Sequence, residues 1–227
     1  WNFVGTPFTV PVPVDNLQTS SGAEVTLRAY GPDGYNTPDN PVTEMQPFAG
    51  YAVFVESATT LTVQPPLPSA EKAERVVKND GSASGPAFPW RLRIRGTSRT
   101  GWDADNVAAV HDAATDDWDR WDWPEPPSLG SGLSITFDAP AGSPEDVMLS
   151  ADVRRVPTHG TTWPLTVHTD AAGPVRLSVD GGEQLPARFE AWLLDTATKD
   201  TWNLRQSAQA RLTVLTDGAE RRLRLVV

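Results

Sequence analysis

The sequence predicts an all-β protein. Three observations carry that expectation. Proline (21) and glycine (17) are spread along all 227 residues, as many short strands joined by turns require. Several segments alternate apolar and polar residues with a period of two, most clearly WRLRIR at 90–95 and LSITF at 133–137. Helical periodicity nowhere persists beyond about three turns.

Taken in order, WNFVGTPFTVPVPV places Val10, Val12 and Val14 between prolines. A proline cannot donate to a ladder, so the stretch reads as an edge strand or extended arm. EVTLRAY (24–30) alternates, and GPDGYNTPDNP (31–41) is a dense turn signal. MQPFAGYAVFVESATTLTV reads as a hairpin, Tyr51–Val55 returning as Leu61–Val63 through a turn near Ser57–Thr59. A short helix is expected at 69–78, then a loop to residue 87. In WRLRIR, Trp90, Leu92 and Ile94 face inward and the arginines outward. Beyond LSITF and VMLSADV (147–153), HGTTWP introduces five evenly spaced short strands: 165–168, 175–179, 189–194, 210–214 and 223–227. The expected architecture is a jelly-roll-like β-sandwich over 1–158, followed by a smaller Ig-like β-sandwich over 159–227.

Between WRLRIR and LSITF lies the most unusual stretch, residues 102–127, WDADNVAAVHDAATDDWDRWDWPEPP. It holds four of nine tryptophans and eight of twenty-nine acidic residues. With neither a helical nor a strand period, it reads as an insertion that binds a ligand, holds a metal or plugs the fold.

Charge and composition narrow the function. A net charge of −10 argues against nucleic acid as a partner. No apolar run is long enough for membrane insertion. Cysteine is absent, so no disulfide framework exists. A chain beginning at Trp1 is expected to be a processed or excised product whose leader has been removed.

Hard oxygen donors at close spacing make Asp103, Asp105 and Asn106, with Asp116, Asp117 and Asp119, candidate calcium ligands. An EF-hand is excluded, because the glycine and glutamate positions counted from Asp103 hold Ala108 and Ala114. The competing reading is that these aspartates form turns and accept backbone hydrogen bonds. Trp118, Trp121 and Trp123 could stack on sugar rings, but packing residues that plug the fold are the preferred reading. The pairs Asp116/Asp117 and Asp119/Asp122 show no division into acid and base of the kind glycoside hydrolysis needs. His111, His159 and His168 lack zinc spacing, and nothing marks a nucleophile elbow or a phosphate loop. No enzyme is expected.

Several pieces together resemble the C-terminal β modules of large secreted or surface proteins of Bacteroidota and relatives, many exported by the type IX route. The pieces are WNFVGTPFTVPVPVD, MQPFAGYAVFVESATTLTV, WRLRIRGTSRTGWDADNVAAVHDAATDDWDRWDWPEPP, and LLDTATKDTWNLR with RRLRLVV. Thr6 stands where those modules usually carry Asn, and Trp118 lacks the preceding glycine. The resemblance implies a non-catalytic, extracellular or cell-surface role, structural, adhesive or for display, and assigns no catalytic residue. Implied partners are other domains of a larger secreted protein or copies of the chain. Two further readings stand beside it. One is a carbohydrate-binding module using the Trp-rich loop, with glycans as partners. The other is a filament subunit joined by strand donation from Trp1–Val14 or Leu223–Val227.

Overall fold

The computed structural model describes residues 1–32, 34–65, 87–127, 132–206, 210–216 and 220–227, the side chains of 210–216 excepted. The helix expected at 69–78 and nearly all of the loop expected at 79–87 lie outside these residues. The fold is nearly all-β, as predicted, with two compact units, Trp1–Pro86 and Ala87–Val227.

Unit 1 is built from short strands. They are β1 (Asn2–Gly5), β2 (Val12–Pro13), β3 (Leu17–Thr19), β4 (Leu27–Arg28), β5 (Tyr30–Gly31), β6 (Gly34–Tyr35), β7 (Glu44–Met45), β8 (Gly50–Val53) and β9 (Leu61–Val63). They pair as one three-stranded sheet, β1-β8-β4, and three two-stranded ones, β2-β7, β3-β9 and β5-β6. Proline removes backbone donors, which keeps ladders here to a few residues. A small core gathers Val12, Leu17, Leu27, Met45, Tyr51 and Val53. The hairpin expected over 51–63 does not form. Both edges of β8 are taken, by β1 and β4, so β9 pairs with β3 instead.

Unit 2 is one large, curled sheet. Its strands are β10 (Trp90–Thr97), β11 (Trp102–Val110), β12 (Trp123–Pro124), β13 (Leu133–Asp138), β14 (Met148–Arg154), β15 (Thr162–Thr169), β16 (Gly173–Asp180), β17 (Trp192–Asp195), β18 (Thr201–Asn203), β19 (Ala210–Thr216) and β20 (Glu220–Val226). The order is β18-β17-β20-β15-β13-β14-β11-β10-β16-β19, with β12 on β14. Alternation holds as read in β10, whose Trp90, Leu92 and Ile94 are buried with Ile135, Phe137, Trp163, Leu165, Leu177 and Leu225 in one core. Trp90 and Trp163 meet edge to face at 5.7 Å between centroids.

One expectation is corrected by this pairing, the boundary near residue 158. β13 pairs β15 along Leu133–Phe137, and β10 pairs β16 along Arg93–Thr97. The strands after 158 thus complete a sheet begun before it, and the described buried residues of 159–227 share the core of β10 and β13 and form no separate one; the division falls at 86/87. Both terminal segments are paired within the chain: β1 with β8, and β20 between β15 and β17.

Candidate functional site

The stretch 102–127 does not behave as one insertion. Its first nine residues are β11, in the middle of the sheet. The alternation that should announce a strand is broken by a bulge: Ile94 faces Asn106 and Gly96 faces Asp103, so Arg95 stands opposite both Ala104 and Asp105. The extra residue puts Asp103 and Asn106 on the same side as Ile94 and Gly96, which is the core side. Val107–Val110 are then buried on both faces, with Ala108 and Val110 in the main core and Val107 and Ala109 in a second cluster.

Asp103 works there as a strand substitute. β14 pairs β13 only at Phe137 and Asp138. Beyond them, Asp103 Oδ2 accepts the N–H of Ile135 at 2.5 Å, and Oδ1 accepts Asn106 Nδ2 at 2.7 Å. The approach is close because position 96 is glycine: a Cβ there would lie 2.7 Å from Ile135 Cδ1 and 3.0 Å from Leu133 Cδ2. Burial, with the charge of Asp105 beside it, pushes the Asp103 carboxyl up to about 7, against the opposing pull of the Ile135 N–H.

The following residues fold over the other face of β11 and β14. His111 N donates to Arg154 O at 2.9 Å and Trp118 N to Ala141 O at 3.0 Å. Asp119 accepts from Thr115 N through Oδ2 at 2.7 Å and from Trp121 N through Oδ1 at 2.8 Å. Asp122 accepts from Asp119 N at 3.1 Å and from Val153 N at 3.1 Å, which ties the loop to β14. Burial pushes Asp122 up to about 7; the Asp119 and Val153 N–H groups oppose this, and the Asp152 carboxylate adds to it. Asp152 is itself raised by burial, against the pull of Arg154, whose Nη2 lies 2.7 Å from its Oδ2.

The tryptophans divide between two clusters. Trp123 is buried against Val107, Ala109, Ala114, Ala151 and Val153, and half-buried Trp121 and Phe88 pack on the same cluster. Trp118 packs against the main core. The Trp121 ring stacks on His111 at 3.9 Å and carries the Arg120 guanidinium at 5.1 Å. No three-ring platform therefore results.

Nor are the six calcium candidates brought together. Asp103, Asp105 and Asn106 are buried on β11, Asp116 and Asp117 are exposed in the loop, and Asp119 builds a turn. Among the described residues no group of three or more His, Asp or Glu could hold a metal ion. Asp152 was missed by sequence reasoning. Its signal was Arg154 two residues on, which strand geometry places on the same face.

No family model matches the chain, and no curated protein or solved structure matches it. No helix among the described residues is long and apolar enough to cross a membrane.

Proposed function

We infer that the chain is a non-catalytic β module of a larger extracellular or cell-surface protein, of the kind its sequence resembles, with a structural, adhesive or display role. The observation that carries this reading is the use to which residues 103–123 are put. Three of the aspartates there, Asp103, Asp119 and Asp122, accept backbone N–H groups, and the indoles of Trp118, Trp121 and Trp123 pack against the two clusters of the sheet. Asp103 completes an edge of β13, Asp119 closes a turn, Asp122 holds the loop to β14, and Trp123 fills the space between. Such a stretch builds a rigid surface. In the same reading, the curled sheet of unit 2 closes as a β-sandwich, since β10 and β16 at one side and β15 and β20 at the other feed one core.

The test pairs Trp118→Ala and Trp121→Ala, each measured by thermal melt and on a glycan array, with a turnover panel of glycans, esters and peptides for the unaltered chain. Lower melting temperatures, no glycan signal lost and no turnover support the module. Turnover abolished by a single carboxylate substitution would overturn it. Wild-type melting with loss of a glycan signal would instead put the ligand on the Trp-rich loop.

A further inference from the structure

The face of the sheet opposite the main core carries hydroxyl, imidazole and charged side chains over most of β13, β15 and β20, with apolar side chains, Pro164, Val226, Leu194 and Trp192, gathered toward β17. Alternation turns Leu193 inward and Trp192 outward, where it is 39% exposed. β17 is paired on both sides, so this ring stands within the sheet, not at its rim. Directly across from it lie Asn203 on β18 and Val226 on β20, and Thr162 on β15 continues the row. The next row on the same face places Leu194 opposite Arg224. Arg222 follows two residues along β20, opposite Thr166.

The two arginines are exposed, and among the described residues no acidic partner meets either. Their neighbour Arg221 differs: it turns to the buried side and binds Asp195, Nη2 to Oδ2, at 2.8 Å. Alternation thus separates an arginine spent on the fold from two that are not. Glu220 lies at the far end of the face, opposite His168, and Glu190 is engaged with Asn203 Nδ2 at 3.1 Å.

We propose that this face binds an extended acidic polysaccharide, with Trp192 stacking on a pyranose ring and Arg224 and Arg222 holding the carboxylate or sulfate groups of neighbouring sugars. A flat indole covers the CH face of a sugar, and a guanidinium matches a carboxylate or sulfate with two parallel hydrogen bonds. Diagonal neighbours on adjacent strands lie about 7–8 Å apart, and alternate residues along a strand about 7 Å. Hydroxyl and amide groups on either side supply the donors and acceptors that sugar hydroxyls need. The net charge of −10 does not forbid this, because charges beyond a Debye length of about 8 Å are screened at physiological salt. What remains is local: Arg222 and Arg224 stand on β20 beside the row of Trp192, while the acids of the same face, Asp138 and Glu220, lie two strands away on β13 and at the far end of β20.

The inference rests on the adhesive reading of the module, to which it gives a ligand class, but on none of the residues of 103–123. The full chain is tested against polygalacturonate, dextran sulfate and neutral dextran by affinity electrophoresis, with light scattering in parallel. Retardation is expected in one or both acidic gels and not in neutral dextran. Trp192→Ala should weaken it at least tenfold without lowering the melting temperature. Arg222→Gln with Arg224→Gln should weaken it and flatten its salt dependence, while Trp121→Ala leaves binding intact. The proposal falls if no acidic gel retards the chain, if neutral dextran retards it equally, or if Trp192→Ala binds as well as the unaltered chain. It also falls if Trp192→Ala instead dissociates a dimer, which would make the face a protein contact. In each case the module reading survives as long as the loop variants behave as packing residues.

Discussion

Unit 1 and unit 2 are both all-β, yet they solve the problem of burying a strand in opposite ways. Unit 1 has strands of two to four residues in four small sheets. Prolines such as Pro11, Pro13, Pro41 and Pro47 interrupt donors where a ladder would extend, and among the described residues the core cluster has six buried members. Unit 2 has strands of up to nine residues in a continuous sheet over one large core. Where its ladder fails, side chains replace the backbone: Asp103 answers for Ile135 and Asp122 for Val153. The difference teaches where stability and pH sensitivity reside. Small cores are marginal, while buried carboxyls used as strand substitutes make a large core responsive to protons.

The largest expected effect concerns where the chain can be cut. Residues 87–227 made alone should fold with cooperative melting, because all eleven strands of the sheet are present. Residues 159–227 made alone should not, because β15 loses β13 and β16 loses β10. Circular dichroism and melting of the two pieces decide the matter. A folded 159–227 piece would restore the boundary near 158.

Next in size are single side chains of unit 2. Trp163 is 0% exposed in the main core, and Trp163→Ala should cost on the order of 3–5 kcal/mol. Asp122→Ala should cost less, about 1–3 kcal/mol, since it strips the acceptor from Val153 N and Asp119 N without opening a comparable cavity. Denaturant melts of both variants check the ranking. If Asp122→Ala proved the worse, the loop would contribute more than the core beneath it.

How much of this was legible turns on the bulge in β11. The class, the inward face of β10 and the strand β13 followed from alternation alone. β11 did not, because one extra residue at Ala104–Asp105 shifts the alternation halfway along. A strand buried on both faces then shows an unbroken run at Val107–Val110. The acids of 103–122 read as metal ligands or turn formers in a loop, since carboxylates are rarely buried. Their inward placement depends on which backbone donors lack a strand partner, and that is a property of the sheet order. The same limit hid the domain division: five evenly spaced strands look like a unit until their partners are known.

pH provides a smaller effect that also belongs to unit 2. Asp103 and Asp122 have carboxyls pushed up to about 7 in the fold, against 3.8 as the ordinary value. Between those limits the folded chain holds protons that the unfolded chain has released. Their contribution is therefore fully present below about pH 4 and is lost as pH rises through about 7. The melting temperature of unit 2 should fall between pH 5 and pH 8 by on the order of several degrees. Asp103→Asn should flatten that slope. A slope of opposite sign, or one unchanged in Asp103→Asn, would show that the carboxyl does not hold its proton in the fold.

The smallest effect returns to unit 1 and sets its turns against those of unit 2. Ala49 N donates to Gln46 O at 3.3 Å, with Pro47 and Phe48 between them, and Phe48 has φ +62°. Proline followed by a positive φ is the arrangement of a type II turn, which favours glycine at the second place. Phe48 is 92% exposed, so its ring offers the chain little packing in return for the strained backbone. Phe48→Gly should therefore raise the stability of unit 1, by about 1 kcal/mol or less after the added freedom of the unfolded glycine is subtracted. Lys199 in unit 2 has φ +67°, but its Nζ donates to Thr196 O at 2.6 Å. Lys199→Gly gives up that contact and should gain less. Thermal melts of the two variants side by side make the comparison. If Phe48→Gly were the destabilised one, the exposed ring would be contributing to the turn in a way its exposure does not suggest, and unit 1 would owe more to its turns than to its six-residue core.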